Sequence, residues 1–291
     1  MQRRRAWFAM LFCMTFMNAV LALGRAASAE QSALPQANPA QADQDPWPTL
    51  APLFFGEKAI QDGAAVLSLE APYRALDAAV VPMTIRLLPR EGDARAVRRV
   101  SLVIDGNPSP LAATFTLGEH SGIDALSTRV RVDDYTNVHA VAELSDGSLY
   151  AVSRFVKAAG GCSAPALKQT AGAVPLGTMR WRELKPAQGN TPSDAPPGDR
   201  EAQLMIRHPN FSGMQMDQVT RLYIPAEFIK QVEIRQGTEL VVLVEGGIAL
   251  SENPEFRFRF KPGSGDAPFR VDAVASDGKQ FKGEWKPDAA S

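Results

Sequence analysis

Apolar and polar residues alternate with a period of two along most of the chain beyond residue 80. Val81, Met83, Ile85 and Leu87 form one such run, and Val100, Leu102 and Ile104 form another. Val130 and Val132 sit between Arg129, Arg131 and Asp133, and Val138, Ala140, Ala142 and Leu144 continue the pattern. This spacing predicts half-buried strands, with the valines turned inward and the charged residues outward. Asp105-Gly106-Asn107-Pro108, His120-Ser121-Gly122 and Asp146-Gly147-Ser148 separate the runs as turns, and Asp146-Gly147 reads as a tight hairpin. A second block repeats the habit. Val232–Ile234 and Leu240–Val244 flank Gln236-Gly237, Phe256, Phe258 and Phe260 alternate with Arg257, Arg259 and Lys261, and Asp277-Gly278 divides a last pair. Before the first block, Asp45-Pro46-Trp47 opens a short helical entry through Leu50, Leu53 and Phe54. Met179–Arg182 reads as an isolated short strand.

The blocks are separated by stretches of Gly, Ala, Pro and small polar residues, from Ala158 to about Gly177 and over 186–201. The predicted architecture is therefore all-β: two immunoglobulin-like β-sandwich domains joined by a flexible Gly/Ala/Pro-rich linker. The domains are expected at 49–157 and 203–287, with the linker at 158–202. Residues 30–48, rich in Ala, Gln, Pro and Asp, read as a disordered leader.

Residues 1–29 read as a secretory signal peptide: Arg3-Arg4-Arg5, an apolar run from Trp7 to Leu23, then small residues at Ala27-Ser28-Ala29. The protein is then expected to be exported, with no membrane attachment once the signal is removed. Cleavage removes four arginines and no acid, taking the formal net charge from −1 to −5 and arguing against nucleic acid as a partner.

Two cysteines are present, and Cys13 falls in the signal. Cys162 is then the one thiol of an exported protein, preceded by Gly160 and Gly161 in the linker. A lone thiol cannot pair within its own chain, and exposed free thiols are avoided in oxidising compartments. The two glycines are expected to hold the sulfur out on a flexible arm. Two readings stand: a thiol displayed for covalent chemistry, and an incidental cysteine in a linker. Lys157 and Lys168 are the nearest cations in sequence.

Enzyme classes find little support. There is no Cys-x-x-Cys, no paired-carboxylate pattern and no phosphate loop. His120, His139 and His208 are scattered, so no metal site and no cofactor are expected. The Arg257/Arg259/Lys261 stripe reads either as a guide for an anion or as the solvated face of a strand. His208 before Pro209 reads as a turn or packing residue.

The first block resembles SoxY, the sulfur-carrying subunit of the periplasmic sulfur-oxidation system, through VVPMTIRL (80–87), VSLVIDGNPSPLAATF (100–115), STRVRVDDYTNVHAVAELSDGSLY (127–150) and GGC (160–162). The second resembles its partner SoxZ through RHPNFSG (207–213), YIPAEFI (223–229) and NPEFRFRFK (253–261). The whole is similar to a fused SoxYZ-like carrier, a type also associated with quinoprotein dehydrogenases. The resemblance implies a non-catalytic protein of the periplasm, with Cys162 as the covalent attachment point and Gly160 and Gly161 as its flexible arm. The sulfur-containing group it holds is processed by Sox-type or quinoprotein and cytochrome redox enzymes. The chain departs from the family where Ser163-Ala164-Pro165 and a whole second block follow the cysteine, so the arm is tethered at both ends. A non-covalent docking module for a quinoprotein dehydrogenase or cytochrome is the alternative, and a cysteine enzyme acting alone a weaker third.

Overall fold

Alternation becomes strands throughout both blocks. The computed structural model describes residues 45–165, 174–184, 200–261 and 267–287. The expected signal and nearly all of the leader lie outside these residues, as do 166–173 and 185–199 of the expected linker. One helix, α1 (Trp47–Phe55), comes first. The first block then supplies β1 (Ile60–Asp62), β2 (Leu67–Glu70), β3 (Val81–Leu87), β4 (Val97–Ile104), β5 (Leu111–Leu117), β6 (Ala125–Val130), β7 (Thr136–Leu144) and β8 (Leu149–Val156). The second supplies β9 (Met179–Leu184), β10 (Arg200–Ile206), β11 (Ile229–Gln236), β12 (Glu239–Gly246), β13 (Glu255–Phe260), β14 (Phe269–Ala275) and β15 (Gln280–Trp285). The predicted short strand at Met179 is β9, which pairs antiparallel with β10 inside the stretch expected as linker.

The protein is all-β in two stacked sheets. One has nine strands in the order β1-β8-β7-β4-β5-β12-β11-β14-β15, and the other six in the order β2-β3-β6-β13-β10-β9. Both sheets cross from one block to the other. β5 pairs antiparallel with β12, from Val242 opposite Leu117 to Gly246 opposite Ala113. β6 pairs antiparallel with β13, Phe258 opposite Leu126. The immunoglobulin-like blocks are thus zipped edge to edge, and from Pro46 onward the chain clusters as one unit. Gly118 stands at this junction. A Cβ there would lie 1.7 Å from the Leu240 carbonyl oxygen, so any larger residue would force the strands apart.

The core fills the space between the sheets. Met83, Ile85, Leu102, Ile104, Phe115, Leu126 and Val130 from the first block join Leu204, Val232, Ile234, Phe256, Phe258 and Phe260 from the second in one buried cluster. Phe115 meets Phe256 edge-on at 6.5 Å across the block boundary. Arg257 and Arg259 turn outward from the same strand and pair with Glu201 and Asp124, the arrangement of a solvated strand face. On the outer side of the larger sheet α1 covers β7. Trp47 stacks on His139 at 3.8 Å, and His139 Nε2 lies 2.9 Å from Asp105 Oδ2. Among the described residues, no helix is long and apolar enough to cross a membrane.

Candidate functional site

Cys162 follows β8 at the seam between the two blocks. The expected displayed sulfur is not what the structure holds: Cys162 is 1 % exposed and the arm before it is seated. Beyond β8 the chain runs beside the segment that leaves β6. Gly160 donates its N–H to the Asp133 carbonyl at 2.8 Å, and Gly161 donates to the Val132 carbonyl at 3.1 Å. Cys162 N–H donates to Asp133 Oδ1 at 3.0 Å. Ser212, from the second block, donates its hydroxyl to the Cys162 carbonyl.

The two glycines explain why the arm can lie so deep. A Cβ on Gly161 would sit 2.1 Å from the Ala78 carbonyl oxygen and 2.5 Å from that of Val132. Both obstacles are backbone, which cannot swing aside. Gly160 has φ +74, a left-handed conformation that side chains rarely adopt. The pair therefore serves close packing as much as freedom of movement. One residue later, Ser163 is exposed, so the sulfur is buried only just beneath the surface.

The floor of the seat is Arg131, also 1 % exposed. Read by alternation, its side chain should face solvent. It lies one residue past the end of β6, where the arm and the second block close over it. Its Nη1 donates to the Gly161 carbonyl at 3.2 Å and its Nη2 to the Asn210 carbonyl at 3.3 Å. Nε has no hydrogen-bond partner. Arg131 N–H donates to the Ala249 carbonyl at 2.7 Å, so its backbone too is tied to the second block.

Asn210 is the counterpart from the second half, fully buried with φ 48. Its Nδ2 donates to the Leu250 carbonyl at 3.1 Å, and its Oδ1 accepts the Ile229 N–H at 2.9 Å. Its own N–H donates to His208 Nδ1 at 3.1 Å. His208 thus holds the turn that carries Asn210, and burial pushes its pKa down. None of the three histidines hydrogen-bonds Cys162. Among the described residues no group of three His, Cys, Asp or Glu is placed to hold a metal.

Matching the chain to known families gives two successive results. Residues 52–162 match "Sulfur oxidation protein SoxY", a match that runs to the cysteine itself. Residues 191–286 match "Sulphur oxidation protein SoxZ". The chain is a fused SoxYZ-like protein. Among solved structures, the sulfur carrier protein SoxY from Chlorobium limicola f thiosulfatophilum is 25% identical, with TM-score 0.31, covering 38% of the SoxYZ-like chain and 89% of its own. A superoxide reductase (neelaredoxin) variant from Ignicoccus hospitalis is 14% identical, with TM-score 0.29, over 33% and 82% of the two chains. No curated protein matches the chain.

The electrostatics of the SoxYZ-like seat keep the sulfur protonated. The Cys162 pKa is pushed up to about 12, first by burial and then by the nearby Asp133 carboxylate, while the Arg131 charge pulls the other way. A thiol is a nucleophile only as thiolate, so the seated sulfur is inert at neutral pH. The cation that the fold brings to the sulfur is Arg131, distant in sequence, and not the sequence neighbours Lys157 or Lys168. Arg131, Asp133, Asn210 and Ser212 lie inside the quoted SoxY and SoxZ motifs. The signal for them was the motif itself, not any spacing around Cys162.

Proposed function

We propose that this SoxYZ-like protein is a periplasmic carrier without catalysis of its own. It holds a sulfur-containing group covalently on Cys162 and presents it to partner redox enzymes. The observation that carries this reading is the position of Cys162. It is the single cysteine among the described residues, it ends the SoxY match, and residues of both halves build its seat.

In the carrier cycle the seat is the resting position. Loading requires the arm to leave it, since neither a partner nor a solvent-borne sulfur compound reaches a sulfur that is 1 % exposed. Gly160 and Gly161 act as the hinge on one side, while Ser163 and Pro165 are already at the surface on the other. Once out, the thiol regains an ordinary pKa and attacks as thiolate. The partners are sulfur-oxidation enzymes or a quinoprotein or cytochrome system.

A second reading has its own support. Tyr73 and Leu76, Tyr135, and Val219, Leu222 and Tyr223 are exposed apolar side chains on three loops that also supply Ala78, Asp133 and Ser212 to the seat. Such a rim suits non-covalent docking to a redox partner. The test is intact mass and peptide mapping of protein recovered from its own periplasm, alongside Cys162→Ser in the host pathway. Carriage predicts a reducible sulfur-containing mass gain on Cys162 and a pathway that fails with serine. Full pathway activity in the serine variant would sink carriage and leave docking.

A further inference from the structure

Arg131 is a buried cation with no carboxylate in contact with its guanidinium. Among the described residues it makes no salt bridge. Its two terminal nitrogens meet only backbone carbonyls, and Nε meets nothing. Burying a guanidinium without an anion beside it is costly, and buried charges are ordinarily paired, so this position suits a negative group. The thiol does not supply that charge, because it stays protonated in the seat.

The group that can supply it is whatever Cys162 carries. We propose that Arg131 is the seat for the negatively charged end of a sulfur adduct on Cys162, such as a terminal sulfonate or a persulfide. This deepens the carrier reading and rests on it. The location fits, because Nη1 already holds the Gly161 carbonyl, one peptide from the attachment point. The guanidinium charge acts on Cys162 directly. Asp133 is the opposing charge at the sulfur, and Asp77 and Glu252 act on Arg131 from further off. Asp133 is only partly buried and its Oδ1 is committed to the Cys162 N–H. The more deeply buried Arg131 is the less screened of the two, so an anion turns toward it.

The test compares three adducts on one thiol, in the full chain with Cys13→Ser. Tetrathionate gives the anion: the thiolate attacks an inner sulfur, a new S–S bond forms, the central S–S bond breaks, and thiosulfate leaves, giving Cys–S–S–SO3−. Methyl methanethiosulfonate gives neutral Cys–S–S–CH3, and its 2-aminoethyl analogue gives a cationic disulfide; methanesulfinate leaves in both. Intact mass establishes complete loading, and thermal unfolding is then recorded for each. The expected order of Tm is anionic above neutral above cationic, with the anionic form about 2–6 °C above the neutral one. Arg131→Met removes that gap and Arg131→Lys keeps part of it. The comparison within unaltered Arg131 protein stands even if a variant fails to fold. Equal Tm values for the three adducts, or an anionic form below the neutral one, would overturn the anion seat while leaving carriage intact. Because the seated thiol is buried and protonated, the three reagents are applied in urea and removed before refolding, and an anionic adduct that alone fails to refold would likewise overturn the anion seat.

Discussion

Gly161→Ala adds one methyl group where the fold leaves no space. The new Cβ falls 2.1 Å from the Ala78 carbonyl oxygen, 2.5 Å from the Val132 carbonyl oxygen and 2.7 Å from the Ala78 carbonyl carbon. Those atoms belong to two different segments, tied to each other by the Val132 N–H bond to Ala78 at 2.9 Å. Relief comes only if the arm lifts off, losing the Gly160, Gly161 and Cys162 backbone bonds together. The sulfur then leaves the environment that pushed its pKa up to about 12 and returns toward the ordinary thiol value. Full return to the ordinary value would raise the thiolate at neutral pH by about three orders of magnitude. Alkylation by iodoacetamide at pH 7.5, followed by mass spectrometry in a Cys13→Ser background, should quicken by roughly a hundredfold or more. Stability should fall as well, although every strand stays paired, because lifting the arm also removes the Gly161 carbonyl from Arg131 and the Cys162 carbonyl from Ser212. Gly160→Ala is the matched control. Its Cβ finds only the Ser163 hydroxyl oxygen at 3.8 Å, so the cost is the left-handed φ alone, about 1 kcal/mol, and the rate should rise about fivefold. Equal alkylation rates for Gly161→Ala and the unaltered protein would refute the claim that glycine packing holds the arm down.

Other consequences follow from the same geometry. The folded Cys162 pKa lies above its unfolded value, so the thiol's contribution is complete below about pH 9 and is lost as pH rises toward 12. Unfolding at pH 7 and pH 10 should therefore show a loss that Cys162→Ser removes. His208 is held neutral by burial, its folded pKa below the unfolded value, so its contribution is present above about pH 6.5 and is lost on acidification. A Tm series from pH 7 to 5 should fall less steeply in His208→Gln. Gly118→Ala, with its Cβ 1.7 Å from the Leu240 oxygen, should lower stability by about 3 kcal/mol in a urea titration by parting β5 from β12.

Periodicity carried the fold a long way. Runs such as Val81–Leu87 and Phe256–Phe260 are β3 and β13, because a sandwich buries one face of each strand and alternation records it. Arg131 shows where that logic ends. Alternation describes a strand only while the strand lasts, and a residue past its end takes its environment from whatever packs there. Here those neighbours are Gly161 and Asn210, some 30 and 79 positions away. Gly160-Gly161 misled in a related way. Glycine permits motion and permits close approach, and composition does not distinguish them until the Ala78 and Val132 carbonyls are in place.

The pairing of β5 with β12 and β6 with β13 sets a timetable for the nascent chain. Leu126 waits for Phe258, and Leu117 for Val242. At ordinary rates of synthesis that wait is roughly 6 to 26 seconds. Throughout it the first half presents two open edges, ready to accept any strand that comes near. Carrying both halves on one chain ensures that the correct strands are already tethered nearby when they emerge. A chain truncated before β12 would keep those edges permanently, making it a nucleus for aggregation more readily than a working half.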